Sequence, residues 1–416
     1  MTKKSRTVLF LILLFLFIII APMIIFYAEG YRFDFENRKI IETGGIFIKT
    51  YPGEADIVIN GDGGKVTSAF SRSAFIQNIT PGTYNIIISK ENYLPWEKNI
   101  EVQEKKVSEI NVSLFLKENT KNLINEKILD LYKIDNGFII LKDDGFFFYT
   151  PQAESEVLIN ANTDWDDFNI INNKILSKKD LTYYLISDTS VKNFSDIGQY
   201  NFKIDERENF YYLIEKRLYK NNELIDNNVD FYALNKGSVY VFKNGTLFEN
   251  TNKLNEKPIE LKQDGELIFI ADKIFLNENS EKLYLLDNGE FKKIINLNNF
   301  ISYSEWDGKI LFNDGENLWI YFSKDIYYPE FINENVLRML IKDSGPMKNL
   351  TWINDRYFSY VQNDSIIASE FDFRDKINEY TLFNELRSPQ IFFDYEKKAF
   401  YIFDEGNIYI TNKITN

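Results

Sequence analysis

From Phe138 to Thr411 one unit recurs eight times, an apolar run, a polar turn and a second apolar run, with the turns centred on Asp144, Lys179, Lys216, Asn244, Asp272, Asp314, Asn363 and Glu405. FIILKDDGFFFYT and AFYIFDEGNIYIT are the first and last of them. A single hairpin cannot cover its own apolar face, so a chain built of such hairpins must stack them into layers. The mean spacing of the turns is about 37 residues, close to the length of a four-stranded β-propeller blade. Lys216 and Asn244 lie only 28 residues apart, however, which leaves little room for four strands. One hairpin is therefore assigned as the outer pair of a neighbouring blade, and residues 118–416 are expected to form about seven blades, with six to eight allowed. Two or three stacked sandwiches are the alternative. The Gly-His marks of WD40 repeats are absent, as the lack of His requires, so the paired Gly-His and Trp-Asp signature does not recur. Within 323–348, NENVLRMLIKD reads as a short helix capped by Asn333 or as a long loop on one propeller face.

Ahead of these repeats, Val8 to Tyr27 carries no charge. At 1.5 Å per residue such a helix matches a hydrocarbon core about 30 Å thick, and it inserts favourably in spite of Pro22. Tyr27 and Tyr31 suit the far interface. A buried core helix and a cleaved signal peptide are the competing readings. The run is longer than a typical signal-peptide core, no A-x-A pattern follows, and the absence of Cys rules out a lipoprotein cleavage box. An uncleaved, single-pass transmembrane signal anchor (8–27) is expected, lodged in the lipid bilayer between a basic cytoplasmic tail (1–7) and a juxtamembrane linker (28–43). Lys3, Lys4 and Arg6 crowd one end of the span, whereas Arg32, Arg38 and Lys39 are mixed with Glu29, Asp34 and Glu36 at the other. The positive-inside rule then places the body outside the cytoplasm.

Residues 44–117 change to period-2 patterning over 46–50, 55–60, 83–89, 99–102 and 107–115, with turns at Pro52-Gly53, Asn60-Gly61-Asp62-Gly63-Gly64, Pro81-Gly82 and Glu91-Asn92. Five or more short antiparallel strands in so few residues read as a small sandwich. The segments IFIKTYPGEADIVING, ITPGTYNIIISKENYLPWEKNIEV and VSEINVSLF resemble the PEGA domain, an immunoglobulin-like surface module of bacteria and archaea. The sequence departs from the eponymous motif at Pro52-Gly53-Glu54-Ala55, and it places Asn92 where the family usually has Gly. Asn tolerates a left-handed backbone, so the turn is expected to survive. The resemblance implies a structural or adhesive module without enzyme activity. Ala55 and Tyr84 are expected in its core, and Tyr93 and Trp96 form either a buried packing pair or an exposed platform for a sugar ring. Only Lys117 to Lys121 joins this module to the repeats, so close docking is expected.

Composition narrows the chemistry. With no His and no Cys, the 416-residue chain cannot build Ser-His-Asp or Cys-His nucleophilic sites, His or Cys metal sites, or disulfides. A net charge of -14 repels phosphate backbones, so no nucleic-acid partner is expected. Abundant Asn, Lys, Ile, Phe and Tyr suit an AT-rich bacterial genome. Asp164, Asp166 and Asp167 beside Trp165 are the densest acidic cluster and read as solvated turn charges, although a glycosidase needs only two carboxylates. Asn60–Gly63 and Asp287–Gly289 lack calcium-loop spacing. Trp165, Trp306, Trp319 and Trp352 read as core packing, with sugar stacking the alternative. The sequons at Asn78 and Asn244 are given no meaning. No catalytic residue, cofactor or metal is expected.

The whole is therefore expected to be all-β after one transmembrane helix, a small sandwich followed by a propeller. The function it suggests is a non-catalytic, membrane-anchored cell-surface binding or scaffold protein, its protein or envelope-glycan partner unidentified. A surface glycan hydrolase with paired carboxylates in the propeller channel and an inner-membrane scaffold with a cytoplasmic body are the alternatives.

Overall fold

The computed structural model describes the chain except residues 1–2, 29, 35–38, 126, 135–136, 152–154, 161–166, 172–173, 181, 188–190, 195–201, 263, 271, 280, 297–301 and 415–416. The uncharged run lies within one helix, Lys3–Ala28, with Pro22 inside it and its apolar side chains exposed to the surroundings. The stretch expected to be a linker contains a hairpin in which Tyr31–Asp34 pairs with Lys39–Glu42. Gly30 and Thr43 close its base through two hydrogen bonds to the Gly30 carbonyl, of 2.9 Å from the Thr43 amide and 2.8 Å from its hydroxyl. The Arg32 guanidinium stacks 3.6 Å from the Tyr27 ring, tying the hairpin to the end of the helix.

Seven strands follow, from Gly44–Tyr51 to Val107–Ser113, in a sandwich of one three-stranded and one four-stranded sheet. Two of them, Asp62–Val66 and Ser73–Ile79, went undetected in the sequence because the first is solvent-exposed throughout and carries two glycines. The pairing is not antiparallel throughout: Gly44–Tyr51 runs parallel to Val107–Ser113. Isoleucines dominate the core, with Ile46, Ile48, Ile86, Ile88 and Ile110 all fully buried together with Ala55. Tyr84 sits at the core's edge, half-buried, its hydroxyl donating to the Thr80 carbonyl at 2.8 Å. Asn92 does adopt the left-handed backbone, with φ 65°.

The repeats form eight four-stranded antiparallel sheets among the described residues. In chain order these blades cover 128–160, 167–194, 202–227, 231–253, 265–296, 302–341, 348–383 and 390–411. Blade eight borrows its outermost strand, Lys121–Asn125, from the start of the domain, where it pairs with Asn407–Thr411. Apolar clusters lie between successive blades, and one more unites Ile128, Phe138 and Tyr149 of blade one with Tyr401 and Ile408 of blade eight. The sheets thus close a ring, which excludes stacked sandwiches.

Eight blades, not the favoured seven, is the upper end of the expected range. Lys216 and Asn244 each belong to a blade of their own, because blades three and four use short strands: Phe202–Ile204 has 3 residues and Asn252–Lys253 only 2. Asp272 marks the first hairpin of blade five rather than its middle one, since Ile270 pairs with Lys273 across it. Inside 323–348 the apolar residues form the outer strand of blade six, Val336–Ile341, and Asn333 caps no helix. Alternation of Leu337 and Met339 could not be told from a helical stripe in so short a run.

Candidate functional site

The most concentrated charge chemistry in the described residues lies where the sandwich meets the propeller. Strand Trp96–Val102 alternates strictly, burying Trp96, Lys98, Ile100 and Val102. An inward lysine must find a partner or lose its proton, and here the Lys98 ammonium, fully buried, lies 2.5 Å from Glu370 and 3.7 Å from Asp372. Glu370 ends a strand of blade seven, and it also accepts the Trp96 indole N–H at 2.7 Å and both the backbone and side-chain N–H of Asn378 at 2.9 Å. Burial pushes the Glu370 carboxyl above its ordinary range, against the pull of Lys98. Arg374 grips Asp372 through Nη2 at 2.5 Å and Nε at 2.9 Å, and its Nη2 donates to the Glu109 carbonyl of the sandwich at 2.8 Å. Alongside, Phe115 is fully buried between blades seven and eight, edge-on to Tyr357 at 5.2 Å. The Asn111 and Ser113 amides donate to Tyr328 and Tyr357 hydroxyls at 3.3 and 3.2 Å, so the sandwich's edge strand is closed by the propeller. With these partners engaged, the acids join two domains.

The innermost strands of the blades line the channel. Lys203 reaches across from blade three to donate to the Tyr232 carbonyl of blade four at 3.1 Å. Though solvent-accessible, its ammonium is ringed by protein, and this desolvation lowers its pKa against the opposing effect of Glu266 on blade five. Burial likewise raises the pKa of Tyr303 on blade six, with Glu266 adding to the shift. Glu305 is held by its own turn, accepting the Gly308 amide at 3.0 Å. Tyr395 stacks on Trp306 at 5.2 Å and donates to the Trp352 carbonyl at 2.9 Å.

Two grooves open on the ring. One, about 940 Å³, lies between blades four and five, with Phe231, Phe242 and Ile259 inside and Asp230, Glu260 and Asp264 on its walls. The Asn244-Gly245 turn forms part of it, and a Cβ on Gly245 would fall 2.5 Å from the Ile259 carbonyl oxygen, so only Gly fits there. The other, about 520 Å³, lies between blades three and four and includes Arg207, Lys220, Lys243, Asp205 and Asp226.

Residues singled out in the sequence are scattered. Trp96 is buried and Tyr93 half-buried against the sandwich core, which is the packing reading rather than the sugar platform. Trp352 is fully buried; Trp319 is half-buried, its indole donating to Asp314 at 2.8 Å. Asp164, Trp165 and Asp166 lie outside the described residues; Asp167 begins the inner strand of blade two. Asn60 and Gly61 form an exposed hairpin turn that leads into the strand Asp62–Val66, and Asp287 pairs with Lys292 at 2.6 Å. No group of three or more acids stands at metal-binding spacing among the described residues. Sequence reasoning missed Lys98, Glu370, Asp372 and Arg374. The signal was present for Lys98, a lysine at an inward position of an alternating strand, but its partners lie more than 270 residues away.

A helix long and apolar enough to cross a membrane, a small sandwich and a closed ring of blades define a β-propeller protein with one candidate membrane span. Residues 43–118 match the PEGA domain family, so the sandwich is a PEGA domain. No curated protein matches the sequence. Among solved structures, the propeller is similar to a streptogramin B lyase, with 11% identity over 71% of this chain and 98% of that one and a TM-score of 0.40. It is similar to the C-terminal WD40 domain of Sif2 at 10% identity, over 72% of this chain and 99% of that one, with a TM-score of 0.43. A virginiamycin B lyase from Staphylococcus aureus matches at 11% identity over 71% of this chain and 99% of that one, with a TM-score of 0.39.

Proposed function

We propose that this is a membrane-anchored, single-pass binding or scaffold protein of the bacterial cell surface. In this reading residues 1–7 stay in the cytoplasm, 8–27 remain uncleaved in the bilayer, 28–43 link, 44–117 form a rigid stalk and 118–416 a non-catalytic interaction platform. The observation that carries it is the buried Lys98–Glu370–Asp372–Arg374 network, which uses a concentrated set of charged groups to fix stalk to platform. A stalk that holds its propeller at a set angle to the membrane suits presentation of a surface better than turnover. Loops collect on the two rims of a propeller and vary without disturbing the stacked sheets, which is how such folds bind. The basic residues Lys3, Lys4 and Arg6 support the orientation.

Proteinase added to spheroplasts tests the topology: the body should be digested while a fragment bearing the anchor stays with the membrane. Protection until lysis would place the body in the cytoplasm. A band shortened by the N-terminal helix and released from the membrane without added proteinase would make the helix a signal peptide.

A further inference from the structure

We propose that the groove between blades three and four binds a small acidic saccharide unit, a sugar ring bearing one carboxylate or phosphate group. The protein is strongly acidic overall, yet this groove gathers three cations, Arg207, Lys220 and Lys243, against two carboxylates, Asp205 and Asp226. Both carboxylates are already occupied. Lys243 binds both oxygens of Asp226 at 2.7 Å. Asp205 accepts the Arg207 and Asn209 amides at 2.9 and 2.8 Å, the Asn209 side chain at 2.9 Å and the Tyr211 hydroxyl at 3.2 Å. Burial opposes its ionisation, but these donors together outweigh that effect and hold its carboxyl below the ordinary range, so it stays an anion satisfied by its own turn.

Arg207 and Lys220 are left without a carboxylate partner among the described residues. The Asp205 network fixes the turn from which the Arg207 side chain projects into solvent, and the Lys220 ammonium stands against Tyr211, 5.5 Å from its ring centre and interacting with its hydroxyl. A fork-shaped guanidinium on a rigid turn, with a second cation nearby, is suited to a bidentate oxyanion. The half-buried Val239 and Phe248 also line the groove, an apolar surface for the C–H face of a sugar, while the exposed Thr251 offers a hydrogen bond to a hydroxyl. The volume of about 520 Å³ accommodates one or two sugar rings. The larger groove between blades four and five provides a contrast within the same molecule, because it sets three acids, Asp230, Glu260 and Asp264, against one cation, Lys262, a balance unfavourable to an anion.

Calorimetric titration of the full-length chain in nanodiscs with D-glucuronate, glucose 6-phosphate and glucose tests the assignment. One or both acidic sugars should bind at one site with an affinity that falls as salt rises, and glucose should bind at least ten times more weakly. Glucuronate or phosphosugar binding distinguishes which oxyanion the groove takes. Arg207→Ala and Lys220→Ala should each weaken binding about tenfold, as expected for a lost charge-assisted hydrogen bond, while Glu260→Ala in the other groove leaves it unchanged. Both altered side chains are at least partly solvent-exposed, and unchanged melting curves will establish that the variants fold. Failure of both acidic sugars to bind, equal binding of glucose, or full binding by a folded Arg207→Ala variant overturns the proposal. The inference rests on the binding reading above, but the two fail separately. Release of a cleaved product from a bound acidic disaccharide would overturn the non-catalytic reading and leave the groove assignment standing. Absent binding, with the protein digested outside spheroplasts, would overturn the groove alone.

Discussion

A lysine buried in a strand costs several kcal/mol in desolvation unless a carboxylate and further hydrogen bonds come with it. Lys98 meets that condition through Glu370, whose remaining lone pairs are taken by Trp96 and Asn378. Lys98→Met should therefore destabilise by about 3–5 kcal/mol, because it strands Glu370 without a counter-charge. The Lys98→Met/Glu370→Leu double variant should recover much of the loss, and denaturant midpoints of the four-member cycle measure it. Additive losses would mean the pair is not coupled. Lys309 is a contrasting case, a buried amine whose hydrogen-bond acceptor among the described residues is the Asp355 carbonyl, with Trp352 and Phe371 rings each 5.1 Å away. Burial lowers its pKa to about 8, so between roughly pH 8 and 10.5 the unfolded chain holds a proton that the folded one has released. Below pH 8 both states are protonated and folding carries the full penalty; as pH rises through the window, this group's contribution makes the fold more stable, by about 3 kcal/mol in all. Comparing stability against pH for the wild-type protein and Lys309→Met should show this upward slope only in the wild type.

Elements here are held less by their own propensity than by what lies beside them. The outermost strand of blade eight, Lys121–Asn125, follows the PEGA domain directly, so the joint at 117–121 is also the thread that closes the ring. Around it, the Lys117 amide bonds the Asn92 carbonyl at 3.0 Å and the Thr120 amide bonds Asn412 at 3.1 Å. Together with Phe115 packed against Tyr357 and Tyr380, these contacts should hold the two domains together even when the chain between them is cut. A protease site inserted after Lys117, once cleaved, should leave both fragments eluting together under native conditions, and separate elution would show that the connection alone keeps them docked. Alternation made most of these strands readable: Ile46, Ile48, Ile110 and Val112 are inward as their spacing requires. Strands with no apolar face, such as Asp62–Val66, gave no such signal, and their existence depends on a neighbour that supplies hydrogen bonds.

On the scale of the molecule, two kinds of information separate. An uncharged run of 20 residues, the absence of His and Cys, and hairpins at regular intervals are local properties, and they determined by themselves the apolar helix, the missing nucleophile chemistries and the all-β repeat. The PEGA domain was readable for the same reason, since its turns and alternating strands lie within about 76 consecutive residues. Blade number was not, because it depends on whether each short hairpin acquires an inner and an outer strand. Asn252–Lys253 earns its place in blade four only by pairing with Phe248 and Glu249. The junction and the cationic groove were equally hidden. Lys98 and Glu370 stand on different domains, and Arg207 and Lys243 line one groove from two blades, so their charges have meaning only after the ring has closed. Periodicity decides which face of a strand turns inward; only the packing of distant strands decides what that face will touch.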